Sequence, residues 1–291
     1  MNSFTEHPVC DEVQGYPVIT AAVSYAQSLG VVVPCSLERP KDGCFLVVHE
    51  LPNTFACLKV AAQSIGLAMT VTFDDMVSMI ADEARLPRRE TKKIELVITL
   101  DNLSTDFGGN ESALGVRFQQ ITNQRLGNET QIRYTLCGHS TGMNSNQMPA
   151  SLSSYSAHLR YARRETVGFP GDVPIHFDSD GYLLGPEDGV MVAVTGQGTH
   201  CCSASRPILE KGTARRLAAC GFHIVERPLH LSELVMVSRM GWVGPDLRLF
   251  GAELRTGGRP QRFDAAFDGI PEDLASIHVQ DDTHIQIIKE N

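Results

Sequence analysis

Three stretches in the second half of the chain decide its fold: Asp180-Gly-Tyr-Leu-Leu184, Leu209-Glu-Lys-Gly-Thr-Ala-Arg-Arg-Leu217, and Gly221-Phe-His-Ile-Val-Glu-Arg-Pro-Leu-His-Leu-Ser-Glu-Leu234. Val173 to Phe177 reads as a strand, and Asp178-Ser-Asp-Gly181 is a tight turn that feeds a second one. Thr213 to Cys220 reads as a short helix closed by Gly221, because glycine alone accepts the left-handed backbone that ends many helices without strain. His223 to Glu226 reads as another strand, and Ser232 starts a helix with Glu233 in its first turn. Strand, turn, strand, helix and strand in that order predict an α/β protein.

The same pattern extends toward the N-terminus. Phe55, Leu58, Ala61, Ala62 and Ile65 have the spacing of an amphipathic helix over Thr54 to Ile65, stopped by Gly66. Thr72 is placed to cap a second helix, whose Asp74 and Asp75 suit the positive end of the helix dipole and whose Met76, Ile80 and Ala84 share a face. Lys93 to Leu100, Val116 to Ile121 and Gln131 to Cys137 read as strands, and residues 101–115, rich in Asn, Asp, Gly and Ser, as a long turn. Gly138 to Ala150 is polar and ends at Pro149, which predicts an N-terminal α/β domain over 1–137, an interdomain loop over 138–150 and a C-terminal α/β domain over 151–291, whose Ser153 to Glu165 is helix-compatible.

Composition narrows the function. The chain has 291 residues, 42% of them hydrophobic, which is enough for a large core. A net charge of -9 speaks against nucleic acid and anionic membrane surfaces as partners. The apolar runs around Val31 to Val33 and Gly189 to Val194 are too short to span a bilayer, and Met-Asn-Ser-Phe-Thr-Glu is no signal peptide, so a soluble, cytoplasmic protein is expected. Eight cysteines without a Cys-x-x-Cys spacing and ten histidines without His-Glu-x-x-His predict no metal site.

Together, the three opening stretches resemble the fold-type IV pyridoxal-phosphate enzymes, the family of the branched-chain and D-amino-acid transaminases and of aminodeoxychorismate lyase. The resemblance runs over about residues 150 to 245. It is thinner in Phe45-Leu-Val-Val-His-Glu-Leu and Leu58-Lys-Val-Ala-Ala-Gln-Ser-Ile-Gly-Leu67, and residues beyond about 255 look like an unmatched extension. It implies a two-domain fold-type IV α/β architecture, a homodimer and a small-molecule substrate.

Carrying the family's cofactor residues over by resemblance gives a consistent set of mismatches. The imine lysine falls at Leu152, flanked by Ser151 and Ser153. The phosphate-binding arginine falls at Cys57, and the histidine before it at Thr54. The acid that pairs with the pyridine nitrogen falls at Gly185, with Glu187 two positions late; the Gly-Ile-Thr phosphate loop is Gly212-Thr-Ala214, and the later Thr-Gly-Thr is Val243-Gly-Pro245. Lys41, Lys59, Lys92, Lys93, Lys211 and Lys289 are all distant in sequence from the imine position. Because such an enzyme needs an amine, a phosphate cradle and an acid together, the expectation is a chain with no cofactor, performing lyase, isomerase, cyclisation or hydrolytic chemistry with its own acids and bases. The alternative keeps pyridoxal phosphate, non-covalently or through a displaced lysine.

Candidate site residues follow from the same frame. Tyr155 and His158, three apart beside the imine position, are placed to share a helix face as a proton-transfer pair. Gly138-His-Ser-Thr-Gly142 fits a nucleophile elbow after a strand, which makes His139 and Ser140 candidates and opens an α/β-hydrolase reading with Asp246 and His278 as partners. The segment that follows Gly142 is a poor helix start, and the motif also reads as a glycine-rich connecting loop. Lys211, with the amides of Gly212 and Thr213 at a following helix N-terminus, is an anion candidate, joined by Arg133 and Arg160 as substrate contacts. His200-Cys201-Cys202 reads as a packed strand end. A binding protein without catalysis is the remaining class.

Overall fold

Val31, Val33 and Cys35 alternate inward along strand β1 (Leu29–Glu38), the centre of a first, wholly antiparallel sheet. A computed structural model describes residues 29–38, 45–64, 66–85, 94–102, 112–120, 131–137, 151–152, 172–256, 259–261, 263, 267 and 269–286. β1 pairs with β2 (Phe45–Val48) on one side and β3 (Ile94–Asn102) on the other, with β4 (Ser112–Gln120) beyond. Helices α1 (Leu51–Ser64) and α2 (Phe73–Arg85) cover the sheet through Leu58, Ala61, Ala62, Met76 and Ile80. The expected cap of α2 is present: Asp75 N–H donates to Thr72 Oγ1 at 3.2 Å, and Thr72 N–H donates back to the Asp75 carboxylate at 2.9 Å.

The second sheet uses β5 (Gln131–Leu136), β7 (Val173–Phe177), β8 (Leu183–Gly185), β9 (Val190–Thr195), β10 (Gly198–Cys202), β11 (Arg239–Val243) and β12 (Leu249–Thr256) in the order β10-β9-β11-β12-β5-β7-β8, with β13 (Arg259–Gln261) on β12. The β12–β5 and β5–β7 pairs are parallel. Both faces are buried. Along β9, Val190 and Val192 enter one core while Met191 and Ala193 enter the other, and on the latter side Tyr134 donates its hydroxyl to the Gly241 carbonyl at 3.0 Å.

Helix α3 (Pro207–Ala219) links the two layers. Ile208 packs into the first sheet's core, Leu209 and Leu217 into the second's, and Arg206 at its N-terminus pairs with the buried Glu95 of β3. This helix departs from its expected span of Thr213 to Cys220. Pro207, with its preset backbone angle and dispensable N–H, starts it six residues earlier, and Gly212 is carried inside it. Cys220 follows the helix and Gly221, at φ +89°, turns the chain away as expected.

Other departures are smaller. β3 runs to Asn102 and β4 begins at Ser112, so both ends of the turn expected over 101–115 are strand, and 103–111 lie outside the described residues. His223 to Glu226 forms no strand; Ile224 makes one isolated parallel bridge to Thr199. Near Ser232 the chain forms a 3-10 turn over Leu231–Met236, capped by the His230 ring and the Glu233 carboxylate. The extension beyond 255 is structured: β14 (Thr283–Gln286) pairs antiparallel with β2 and becomes an outer strand of the first sheet. β6 (Ser151–Leu152) also joins that sheet, on β1. Among the described residues no helix is long and apolar enough to cross a membrane.

Candidate functional site

The turn His49-Glu50 between β2 and α1 meets α3 and the segment before β14 in a buried polar seam. Glu50 takes φ +61°, unusual for a residue with a side chain, and this aims its carboxylate at α3. There Arg215 donates to Glu50 Oε2 at 2.7 Å and also pairs with Asp281, while Asn53 donates to Glu50 at 2.7 Å and to Asp281 at 3.0 Å. Arg216, wholly buried, donates through Nη2 to both oxygens of Asp282 at 2.7 and 2.8 Å and through Nη1 to the Gly212 carbonyl at 3.1 Å. The His49 Nδ1 atom lies 2.9 Å from Arg216 Nη2 and 3.2 Å from Asp282 Oδ1. Burial pushes the Asp282 carboxyl up, but its hydrogen bond to His49 and the charges of His49 and Arg216 outweigh that and bring it down to about 2.

On the outer side of α3, Lys211 extends its ammonium to 3.8 Å from the sulfur of Cys57 on α1. Cys57 is where the resemblance places the phosphate-binding arginine. An ammonium from α3 therefore stands beside the α1 position at which the resemblance expects a cation. The expected role of the Gly212 and Thr213 amides is corrected: both lie inside α3, where the helix's own ladder uses their N–H groups, and they do not form a helix N-terminus. A Cβ on Gly212 would meet the Glu50 side chain at 2.9 Å, so that face is filled by a carboxylate already held by Arg215 and Asn53.

At the far end of the second sheet, Gly185 has φ +87°, and a Cβ there would stand 2.3 Å from the Cys202 carbonyl oxygen. No acid fits at this position. Glu187 instead turns back to the buried His176 ring, 3.1 Å from Nε2. Glu210, in the first turn of α3, accepts the Ser203 N–H at 2.8 Å; burial pushes its carboxyl up to about 7, against the pull of that bond and of Lys211.

Of the residues singled out in the sequence, Tyr155, His158, Arg160, His139 and Ser140 lie outside the described residues, as do Ser153 and the helix expected over 153–165. Leu152 is placed by its backbone on β6, opposite Leu29. Arg133 lies on β5, with Nε 3.5 Å from the Asp172 carboxylate that it shares with Arg255 of β12, so it belongs to an ion-pair group of the second sheet rather than to the Lys211 region. Thr54, at the family's histidine position, donates its hydroxyl to the Glu50 carbonyl at 2.9 Å. The seam of Glu50, Arg215, Arg216, Asp281 and Asp282 was missed by sequence reasoning. Its one local signal is the adjacent pair Arg215-Arg216.

The arrangement of two sheets joined by α3 has close counterparts among solved structures. A branched-chain amino acid aminotransferase from T.th., complexed with 4-methylvaleric acid, matches 90% of this chain and 86% of its own, with a TM-score of 0.67 at 14% identity. The fold is fold-type IV. The branched-chain aminotransferase of the archaeon Thermoproteus uzoniensis with norvaline matches 86% of this chain and 84% of its own, with a TM-score of 0.67 at 16% identity. The T.th. enzyme with pyridoxamine 5'-phosphate matches 87% and 84%, with a TM-score of 0.65 at 14% identity. No family model and no curated protein matches the sequence. These likenesses correct one expectation. The absence of a cofactor, inferred from Leu152, Cys57 and Gly185, runs against a set of structural neighbours that are aminotransferases, one of them holding pyridoxamine 5'-phosphate, and that direction is toward pyridoxal phosphate rather than none.

The described residues fit such a group unevenly. At the phosphate end, Lys211 beside Cys57 offers a cation, and the nearby Glu50 is neutralised by its own partners. At the ring-nitrogen end, Gly185 leaves no room for the acid.

Proposed function

We propose that this chain is an enzyme of amino-group chemistry on a small amino acid or 2-oxo acid, of the aminotransferase or lyase kind, which takes pyridoxal phosphate reversibly by its phosphate instead of through the family's imine lysine. Two things support the reading: the fold-type IV architecture over most of the chain, and the Lys211 ammonium next to Cys57, which carries it. Pyridoxal phosphate, when bound, supplies an electron sink for bonds at the amino acid's α-carbon. Lys211 meets the phosphate as a point charge, with three N–H donors on a flexible stem. Arg206 and Glu95 pin the start of α3 to β3 and Arg216 with Asp282 pins its end to the first sheet, so the helix that carries Lys211 is held between the layers. The His158 imidazole of Tyr155-x-x-His158 belongs to the proposal as the proton carrier, and His139 and Ser140 as substrate contacts.

The test is binding rather than turnover. Titration with pyridoxal phosphate, followed by circular dichroism in the cofactor's absorption band and by calorimetry, should give saturable one-to-one binding. Pyridoxal without its phosphate should bind at least about tenfold more weakly, and Lys211→Ala should lose a similar factor while melting like the parent, since one screened charge-assisted contact is worth about 1.4 kcal/mol. Absence of saturation up to about millimolar cofactor would end this reading. A homodimer is part of the proposal, and sedimentation at a mass near the 31.8 kDa of one chain would count against it.

A further inference from the structure

Cys137, His176 and Glu187 form a hydrogen-bonded chain that the cofactor reading leaves unused. The Cys137 sulfur lies 3.4 Å from His176 Nδ1, and His176 Nε2 lies 3.1 Å from Glu187 Oε1. Topology brings the three together. Cys137 follows the last residue of β5, His176 is next to last on β7, and these strands run parallel, so thiol and imidazole stand at the carboxyl ends of adjacent parallel strands, where open α/β sheets present their ligands. The Cys137 N–H donates to the Ile175 carbonyl at 3.0 Å, which fixes the thiol one residue from the histidine. Across β7–β8, His176 is paired with Gly185, so its ring stands opposite bare backbone.

We propose that Cys137 is the nucleophile, His176 the general base and Glu187 the orienting carboxylate of a thiol-dependent acyl-transfer site for a small activated acyl group, such as a thioester or aryl ester. The roles follow from the donor inventory. An ionised Glu187 accepts the Nε2–H, which leaves Nδ1 as the acceptor facing the thiol. The S–H proton passes to Nδ1; the sulfur's electron pair attacks the acyl carbon, the carbon–sulfur bond forms, the bond to the leaving oxygen or sulfur breaks, and the leaving group takes the proton from Nδ1. Water, deprotonated by the same nitrogen, then attacks the acylated cysteine, releasing a carboxylic acid and restoring the thiol.

Among the buried thiols, the Cys35 sulfur faces the Val33 carbonyl at 3.7 Å, and burial pushes the thiols of Cys35, Cys201 and Cys202 upward, Cys202 to about 12. Cys137 is 4% exposed and the imidazole fully buried, while the Glu187 side chain reaches solvent at 24%, so the acyl donor has to be small.

The experiment uses the whole chain and p-nitrophenyl acetate, and is independent of pyridoxal phosphate. Rapid mixing should release about one equivalent of p-nitrophenolate in a burst, with the acetyl group found by mass spectrometry on the Cys137 peptide. Glu187→Gln should acylate about tenfold or more slowly, with its midpoint in pH moved toward that of an ordinary thiol and its melting temperature kept. Cys137→Ser should carry no label on that peptide. The proposal is overturned if Cys137 takes acetyl only after denaturation, or if Glu187→Gln is labelled as fast as the parent with the same pH profile; the parent protein's own labelling decides the matter if the variant does not fold.

Discussion

Replacing Arg216 by Met tests whether α3 and the chain's C-terminal segment are held together by charge. Methionine keeps most of the volume and removes the guanidinium, which makes three hydrogen bonds to Asp282 and Gly212 and lies 3.7 Å from Glu50 Oε1. Two carboxylates, each with side chains 1% exposed, lose a counter-charge. Breaking a buried pair from one side costs about 3–5 kcal/mol, because the remaining ion has neither water nor partner. Arg215 still covers Glu50, so the low end, about 3 kcal/mol, is expected. In urea at neutral pH this moves the unfolding midpoint down by about 1 M for a denaturant slope near the top of the usual range. Adding Asp282→Asn to the variant should return part of the loss, since the carboxylate left with only His49 and the Val279 N–H loses its charge. A midpoint drop below about 0.3 M, or a double variant no better than the single one, would refute the account.

Three further outcomes are expected. Asp282 sits below its ordinary 3.8, at about 2, so its contribution is complete above pH 4 and is lost as pH falls toward 2; the loss, about 2 kcal/mol, should vanish in the Asp282→Asn protein when stability is followed against pH. Glu210 has the opposite sign: raised from 4.5 to about 7, it favours the folded state at low pH and that advantage disappears as pH rises from 4.5 through 7, so Glu210→Gln should flatten that limb by up to about 3 kcal/mol. Gly185→Ala should cost more than about 2 kcal/mol in thermal or urea unfolding, because its methyl meets the Cys202 carbonyl and its backbone angle is strained for any side chain.

Local signals in the sequence carried much of the fold. Period and capping located α1, α2 and β7, because Thr72, Asp75 and the apolar spacing act within a few residues. The start of α3 was misplaced since Gly212 reads as a boundary by propensity, while Pro207 and burial against both cores override it. β14 was illegible because Thr-His-Ile-Gln is too short and polar to announce a strand; it exists through its ladder to β2 and the Asp281 and Asp282 pairs. The site divides the same way: Lys211 crossing to Cys57 and Cys137 meeting His176 are products of tertiary folding between distant segments, for which one sequence holds no mark.

The pairing of β14 with β2 joins residues 283–286 to residues 45–48. During synthesis the edge of β2 therefore stays open until residues 283–286 have left the ribosome, with unpaired N–H and C=O groups on a strand of Phe, Leu, Val and Val. A nascent chain halted before residue 283 carries an adhesive border, and closure by so remote a strand is slow because a long loop must be ordered before any contact rewards it. The acidic pair Asp281-Asp282 stands directly before that strand, and its pairing with Arg215 and Arg216 ties the late segment to α3 by charge as well as by hydrogen bonds to β2.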